Sequence, residues 1–182
     1  MGSADIRVRD SETRDLPAIQ AIYEYEVLHG LATFEEVPPD AAELGARRQA
    51  ILDIGLPYLV AELDGQVLGY AYAGIYRTRP AYRNTIEDSV YVSEAARGRG
   101  IGRALLEALI ARCETGWRRQ MVAVIGNSAN RGSVELHRRL GFEEIGTLKA
   151  VGFKHGQWVD TVYMQRPLGL GSETPQSPSG DG

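Results

Sequence analysis

Apolar residues recur along the chain in two rhythms, and each change of rhythm predicts an element. Ile6 to Arg9 alternates apolar and charged residues as a short strand does, and Thr13 and Asp15 then offer N-caps to a helix carrying Leu16, Ile19, Ile22 and Tyr23. A second helix begins at Asp40, turns Leu44, Ile51 and Leu52 inward and ends near Gly55. The period then shortens. Tyr58 to Leu63, the dipeptide Asp64-Gly65 and Gln66 to Tyr72 form a β-hairpin, because Asp-Gly suits the two-residue turn with positive φ at both positions. After an arginine-rich connection, Thr85 to Val92 reads as a half-buried strand that runs through a glycine loop into an amphipathic helix. That helix carries Gly102, Leu106, Leu109, Ile110 and Cys113 on its inner face. Strand Met121 to Ile125, a short helix from Ser133 to Leu140 stopped by Gly141, and closing strands Phe142 to Lys149 and Gln157 to Gln165 complete the order βααβββαβαββ. Residues 1–168 are expected to form one domain of the α/β (α+β) class, and the Gly-, Ser- and Pro-rich tail 169–182 to be disordered.

Composition narrows the function classes. Apolar residues make up 43% of the 182, enough for a single core. A net charge of −4 argues against a dedicated nucleic-acid surface, which needs clustered cations, and no apolar run approaches membrane-spanning length. The single Cys113 excludes an internal disulfide and falls among core positions. No His/Cys/carboxylate cluster has metal-ligand spacing, so no metal is expected. The start shows no secretory signal, and Met1-Gly2 does not continue into an acylation motif, since position 6 is Ile; a cytoplasmic location is the default. Small molecules are the expected partners.

The glycine loop carries the most specific chemistry. In Arg97-Gly98-Arg99-Gly100-Ile101-Gly102-Arg103, closely spaced glycines let the backbone approach a ligand, and the helix they open offers unpaired N–H groups and the positive end of a dipole. An anion belongs there. A triphosphate loop would need Gly-Lys-Ser or Gly-Lys-Thr, which does not occur, and a dinucleotide fingerprint would need Gly where Arg103 stands. What remains, Arg97-x-x-Gly100-x-Gly102, resembles the acetyl-CoA pyrophosphate loop of the GCN5-related N-acetyltransferase (GNAT) superfamily. The element order and the segment Asn130 to Phe142, with its Asn, small residue and Gly-Phe, are similar to the same superfamily, although His137 stands where that pattern usually has Tyr. Ala32-Thr33-Phe34-Glu35, Gly69-Tyr70-Ala71, Tyr82 to Val92, Leu136 to Phe142 and Val151 to Asp160 further resemble the phosphinothricin and methionine sulfoximine N-acetyltransferases.

The resemblance implies a mixed central sheet of six to seven strands with about four helices, acetyl-CoA as donor and a homodimer. It implies transfer to the α-amine of a small amino acid or analogue by direct attack on the thioester. It places the donor along the backbone of Val90, Tyr91 and Val92, the loop Arg97 to Arg103, Asn130 and Ser133, and it makes Glu87 the base. Alternation along the strand puts Thr85, Glu87, Ser89 and Tyr91 on one face and Ile86, Asp88, Val90 and Val92 on the other. Helix geometry turns Ser133, His137 and Leu140 inward, so His137 is an acid for the CoA thiolate or a base beside Glu87, two roles the sequence does not separate. The connection Arg77-Thr78-Arg79-Pro80-Ala81-Tyr82-Arg83 is a local cationic patch whose guanidinium forks suit a carboxylate or phosphinate. Arg77, Thr78, Arg79, Arg83, Asp88 and Ser89 form the expected substrate set, and Phe34 walls the amine pocket by analogy. Two further readings are a transferase for a peptide N-terminus or another amine, and a non-catalytic CoA-binding module.

Overall fold

The computed structural model describes residues 6–173. The readings placed on Met1 and Gly2, and on the tail from residue 174 onward, lie outside these residues. The elements are β1 (Arg7–Asp10), α1 (Leu16–His29), α2 (Ala41–Asp53), β2 (Tyr58–Leu63), β3 (Gln66–Ile75), β4 (Thr85–Val92), α3 (Ile101–Cys113), β5 (Gln120–Gly126), α4 (Arg131–Arg139), β6 (Glu143–Lys154) and β7 (Gln157–Pro167). Their order is the one the hydrophobic rhythm predicts. The Asp64-Gly65 turn has the expected chemistry, with φ of 51° and 76°, and the β6–β7 hairpin turns in the same way at His155 and Gly156, with φ of 50° and 74°. Positive φ at both central residues matches the right-handed twist of the flanking strands.

One seven-stranded sheet runs β1-β2-β3-β4-β5-β7-β6. Every neighbouring pair is antiparallel except β4 and β5. That parallel pair stays in register only from Thr85↔Gln120 to Asp88↔Ala123. Beyond it, β4 continues to Val92 on β3, and β5 continues to Gly126 on β7. The sheet is therefore held on both outer sides while its centre opens into a wedge with its apex at Asp88 and Ala123.

Helices cover both faces. On one, Leu105, Leu106 and Leu109 of α3 pack with Ile86, Met121 and Met164 of the sheet. Gly69 permits the close approach, since a Cβ there would lie 2.8 Å from Ile101. On the other, Ile19, Val27 and Leu44 of α1 and α2 pack with Tyr58, Val60 and Tyr70. The alternation read along β4 is kept: Val90 and Val92 join the α3 side and Tyr91 the α1 side.

Two boundaries differ from expectation, at the end of β6 and at residues 169–173. β6 runs to Lys154, past the expected Lys149, because bulges at Glu144/Gly146 and Leu148/Gly152, with Ala150 at φ 50°, break its alternation. Gly30 ends α1 in an extended conformation (φ −99°, ψ 170°). Its lack of a side chain answers crowding, because a Cβ would stand 2.2 Å from Glu26 Oε2. Gly169 to Glu173, expected in the disordered tail, fold back in turns, with Gly171 N–H donating to the Leu168 carbonyl at 2.9 Å.

Candidate active site

The wedge between β4 and β5 opens into a cavity of about 790 Å³. One wall is the β4 segment Val90, Tyr91 and Val92, whose backbone has lost its β5 partner. The floor is the glycine loop, in which Arg97, Gly98, Gly100, Ile101, Gly102 and Arg103 reach the cavity, whereas Arg99 does not line it. Gly98 and Gly100 have φ of 76° and 86°, a conformation that an L side chain would strain. Gly100 is the N-cap of α3, so the first amides of a thirteen-residue helix are left without carbonyl partners beside the cavity. Asn130, Ser133 and His137 complete the far wall. Asn130 caps α4, its Oδ1 accepting from Ser133 N–H at 3.2 Å.

Arg97 is already engaged: its guanidinium pairs with the Glu26 carboxylate of α1. The Glu26 side chain is only 8% exposed, against 52% for Arg97. Glu26 was not among the expected site residues. It had a signal, since it falls on the stripe Ile19, Ile22, Tyr23 and Val27, where a carboxylate needs a partner. Arg103 pairs along its own helix with Glu107 at 2.8 Å.

At the apex, neighbouring carboxyl groups have opposite surroundings. Glu87 lies on the α1 side near Tyr72, and burial, helped by the charge of Asp88 and opposed by Arg77, raises its pKa to about 7. Asp88 is on the α3 side, 6% exposed, with Oδ2 2.9 Å from His137 Nε2 and Oδ1 without a partner. His137 is 3% exposed, and its Nδ1 lies 2.7 Å from the Ser133 carbonyl. A carbonyl only accepts, so Nδ1 carries a proton. Burial lowers the imidazole pKa, but the Asp88 hydrogen bond and charge together with the Ser133 carbonyl outweigh it, and the net direction is upward. Asp88, expected in the substrate set, lines the cavity with Ser89, and its carboxylate is held by His137. The structure does not bring Glu87 and His137 together, because they belong to opposite faces of β4.

The α1 side of the sheet is lined with tyrosines. Tyr58, Tyr70 and Tyr72 stack, and Tyr91 stacks on Tyr70 at 5.2 Å. The loop from Leu31 to Glu35 borders this region and is clamped from several directions. Tyr23 O–H donates to Glu35 at 2.9 Å and accepts from Thr33 at 2.9 Å. Gly126 lets β5 pass where a Cβ would lie 2.3 Å from the Leu31 carbonyl, and Gly152 accepts the ring of Phe34. Lys154, a residue the pattern did not single out, is 2% exposed and donates to the Thr33 carbonyl at 2.8 Å. Burial draws its pKa below the ordinary lysine value, against the opposing pull of Glu26, Glu36 and Glu35. The bulges of β6 hid it from any periodic reading.

Of the expected cationic patch, Arg77, Thr78, Arg79 and Arg83 are all exposed. Arg77 rests over Tyr76 and Tyr82, 5.1 and 5.9 Å from their ring centroids, and Arg83 donates to the Pro80 carbonyl at 2.9 Å. Ser89 lines the cavity, while Phe34 and the arginines do not. Among the described residues no helix is long and apolar enough to cross a membrane.

A long, mixed ligand with a pyrophosphate fits these residues. The loop glycines and free helix amides suit the anion, and the unpartnered backbone of β4 suits an amide-bearing arm. Residues 19–142 match the model of the acetyltransferase (GNAT) family. The chain is 59% identical over 167 residues to a phosphinothricin N-acetyltransferase of Alcaligenes faecalis, covering 92% of this chain and 83% of that protein. It is 45% identical over 162 residues to an L-methionine sulfoximine/L-methionine sulfone acetyltransferase of Pseudomonas paraeruginosa, covering 88% and 94%. A solved phosphinothricin acetyltransferase of Sinorhizobium meliloti, in complex with acetyl-CoA, superposes with a TM-score of 0.92 at 50% identity, covering 96% of this chain and 94% of that one.

Proposed function

The chain belongs to the acetyltransferase (GNAT) family and is an acetyl-CoA-dependent N-acetyltransferase, and we propose that its acceptor is the α-amine of a small anionic amino acid or analogue of the phosphinothricin or methionine sulfoximine type. The observation that carries this reading is the position of Glu87, a half-buried carboxylate with a pKa of about 7, one strand-face away from the wedge and close to the charge of Arg77. A general base works best when its pKa lies near the operating pH.

Acetyl-CoA supplies an activated acetyl thioester. The chain's own residues do the rest. The α3 N-terminus and the loop glycines hold the pyrophosphate, Val90 to Val92 align the arm, and Asn130 and Ser133 close the far wall. Arg77 and Arg83, with Arg79 and Thr78 beside them, hold the anionic head of the acceptor, while Ser89 and Phe34 border its amine. Glu87 takes the amine proton. His137, on the cleft wall, serves the departing thiolate. Cys113 stays outside the chemistry, since burial pushes its thiol up to about 12.

We further propose a homodimer in the cytoplasm. Ile145, Val151, Phe153 and Trp158 of the β6–β7 hairpin are 62, 51, 56 and 68% exposed, an apolar row at the sheet edge suited to a second copy. Light scattering should give twice the chain mass, reduced to one by Trp158→Lys; a monomeric wild type removes the proposal. The function itself is tested by free-thiol release from acetyl-CoA with phosphinothricin, methionine sulfoximine or methionine sulfone. Turnover is expected on at least one. Silence on all three with turnover of an alanyl peptide would transfer the chain to the peptide reading, and silence on every amine despite acetyl-CoA binding would make it a binding module.

A further inference from the structure

Lys154, at 2% exposure, is the least exposed charged residue among those described, and both of its hydrogen-bond acceptors are backbone carbonyls. Its Nζ donates to the Thr33 carbonyl at 2.8 Å and to the Glu26 carbonyl at 3.4 Å. Glu26 belongs to the last turn of α1, and Thr33 lies four residues beyond the helix end. The ammonium therefore ties the helix terminus to the loop that follows it, at the end of the dipole that favours a cation. The charges of Glu26, Glu36 and Glu35 oppose the burial that lowers its pKa. Two residues earlier on the same strand, Gly152 takes the ring of Phe34, since a Cβ there would lie 2.4 Å from it. β6 thus grips the loop at two points.

The two ends of this loop have different neighbours. Gly30, Leu31 and Ala32 line the donor cavity. They are held without Lys154, because Gly30 N–H donates to the Glu26 carbonyl at 2.9 Å and β5 passes against the Leu31 carbonyl at Gly126. Thr33 and Glu35 turn instead to the α1 side of β4. Tyr23, hydrogen-bonded to both, stands edge-on to Tyr91 at 5.2 Å. Tyr72 bonds to Ser89 and is near enough to Glu87 and Glu35 for their charges to add to the burial that raises its pKa. Glu35 and Glu87 therefore flank one ring.

We propose that Lys154 is a positioning residue for the acceptor: its ammonium bridges the end of α1 and the Thr33 carbonyl, and so holds Thr33, Phe34 and Glu35 as the wall that faces Glu87 across Tyr72. The inference rests on the reading of the Glu87 face as the acceptor site. Without the ammonium, the buried Thr33 carbonyl loses its donor, whereas the Glu26 carbonyl keeps the Gly30 N–H. The acceptor end of the loop is the end that comes free, and the donor end stays in place.

Lys149 and Lys154 are the only lysines of the chain, and the Lys149 side chain is 74% exposed. A nitrogen-15 spectrum of the lysine Nζ groups of the full-length protein at neutral pH should therefore show one ammonium protected from exchange with water, missing in Lys154→Met. A wild-type spectrum with no protected ammonium would overturn the proposal, whether or not the variant folds. In Lys154→Met, which keeps the length of the side chain and removes its charge, backbone amide exchange should quicken about tenfold or more at residues 33–36 and stay within about threefold elsewhere. In steady state the acceptor KM should rise about tenfold, with kcat and the acetyl-CoA Kd each within about threefold of wild type. Exchange quickened evenly along the chain, or acceptor KM and acetyl-CoA Kd rising together, would make Lys154 a support of the fold alone and overturn the proposal. The spectrum and the exchange need no turnover, so a protein inactive on every acceptor would sink the functional reading and still report on the clamp.

Discussion

Replacing Glu87 by Gln should make the protein more stable and the enzyme worse. Burial and the neighbouring Asp88 raise the Glu87 pKa from 4.5 to about 7, so the native state binds this proton more tightly than the unfolded chain. Below pH 4.5 the group is protonated in both states and costs nothing. As pH rises to and beyond 7 the folded protein must carry a buried carboxylate, and stability falls. At roughly 1.4 kcal/mol for each pH unit, the displacement corresponds to about 3 kcal/mol, fully expressed above pH 7 and reduced in practice by partial solvent access. Glu87→Gln removes the charge at near-constant volume. Urea unfolding at pH 5 and pH 8 should therefore give a small difference between wild type and variant at the acid end and a gain of about 1–3 kcal/mol for the variant at pH 8. Turnover should fall by about 10²- to 10⁴-fold, the range for a lost general base. Equal stabilities at both pH values would refute the burial argument, and undiminished turnover would refute the catalytic one.

Further consequences are open to direct measurement. Glu26→Gln releases Arg97, a partly exposed ion-pair partner, and should tighten acetyl-CoA binding by about two- to fivefold at low salt in isothermal titration; weaker binding would place Glu26 among the supports of the loop. Gly126→Ala should cost about 1–3 kcal/mol in thermal unfolding, since its Cβ would lie 2.3 Å from a backbone carbonyl, whereas Gly132→Ala, with open space around it, should cost nothing or stabilise. Arg77→Ala and Arg83→Ala should raise the acceptor KM about tenfold while acetyl-CoA affinity holds; a loss of cofactor binding would move these arginines to the donor site.

Much of this arrangement could be read from local chemistry. Asp64-Gly65 and His155-Gly156 carry residues that tolerate positive φ, Gly98 and Gly100 open a helix, and the alternation along Thr85 to Val92 assigns each side chain its face. That same alternation already separates Asp88 from Glu87 and Ser89. What no local pattern contains is the partner. Asp88 meets His137 because α4 packs across the wedge, and the wedge exists because β4 and β5 stop pairing at Asp88 and Ala123, which strand periodicity does not mark. Lys154 escaped for a related reason, since bulges shift the register of β6 and an isolated lysine on an edge strand reads as solvated. Glu26 is the intermediate case: its place on an apolar stripe was visible, and Arg97, 71 positions away, was not.

The most direct test of the account is the pH dependence of kcat for acetyl transfer to methionine sulfoximine or phosphinothricin with both substrates saturating. The account predicts a rate that rises through an inflection near pH 7, the value burial gives Glu87, with that inflection gone in Glu87→Gln. A wild-type kcat that is flat across this range, or a Glu87→Gln enzyme that keeps the inflection, would contradict it.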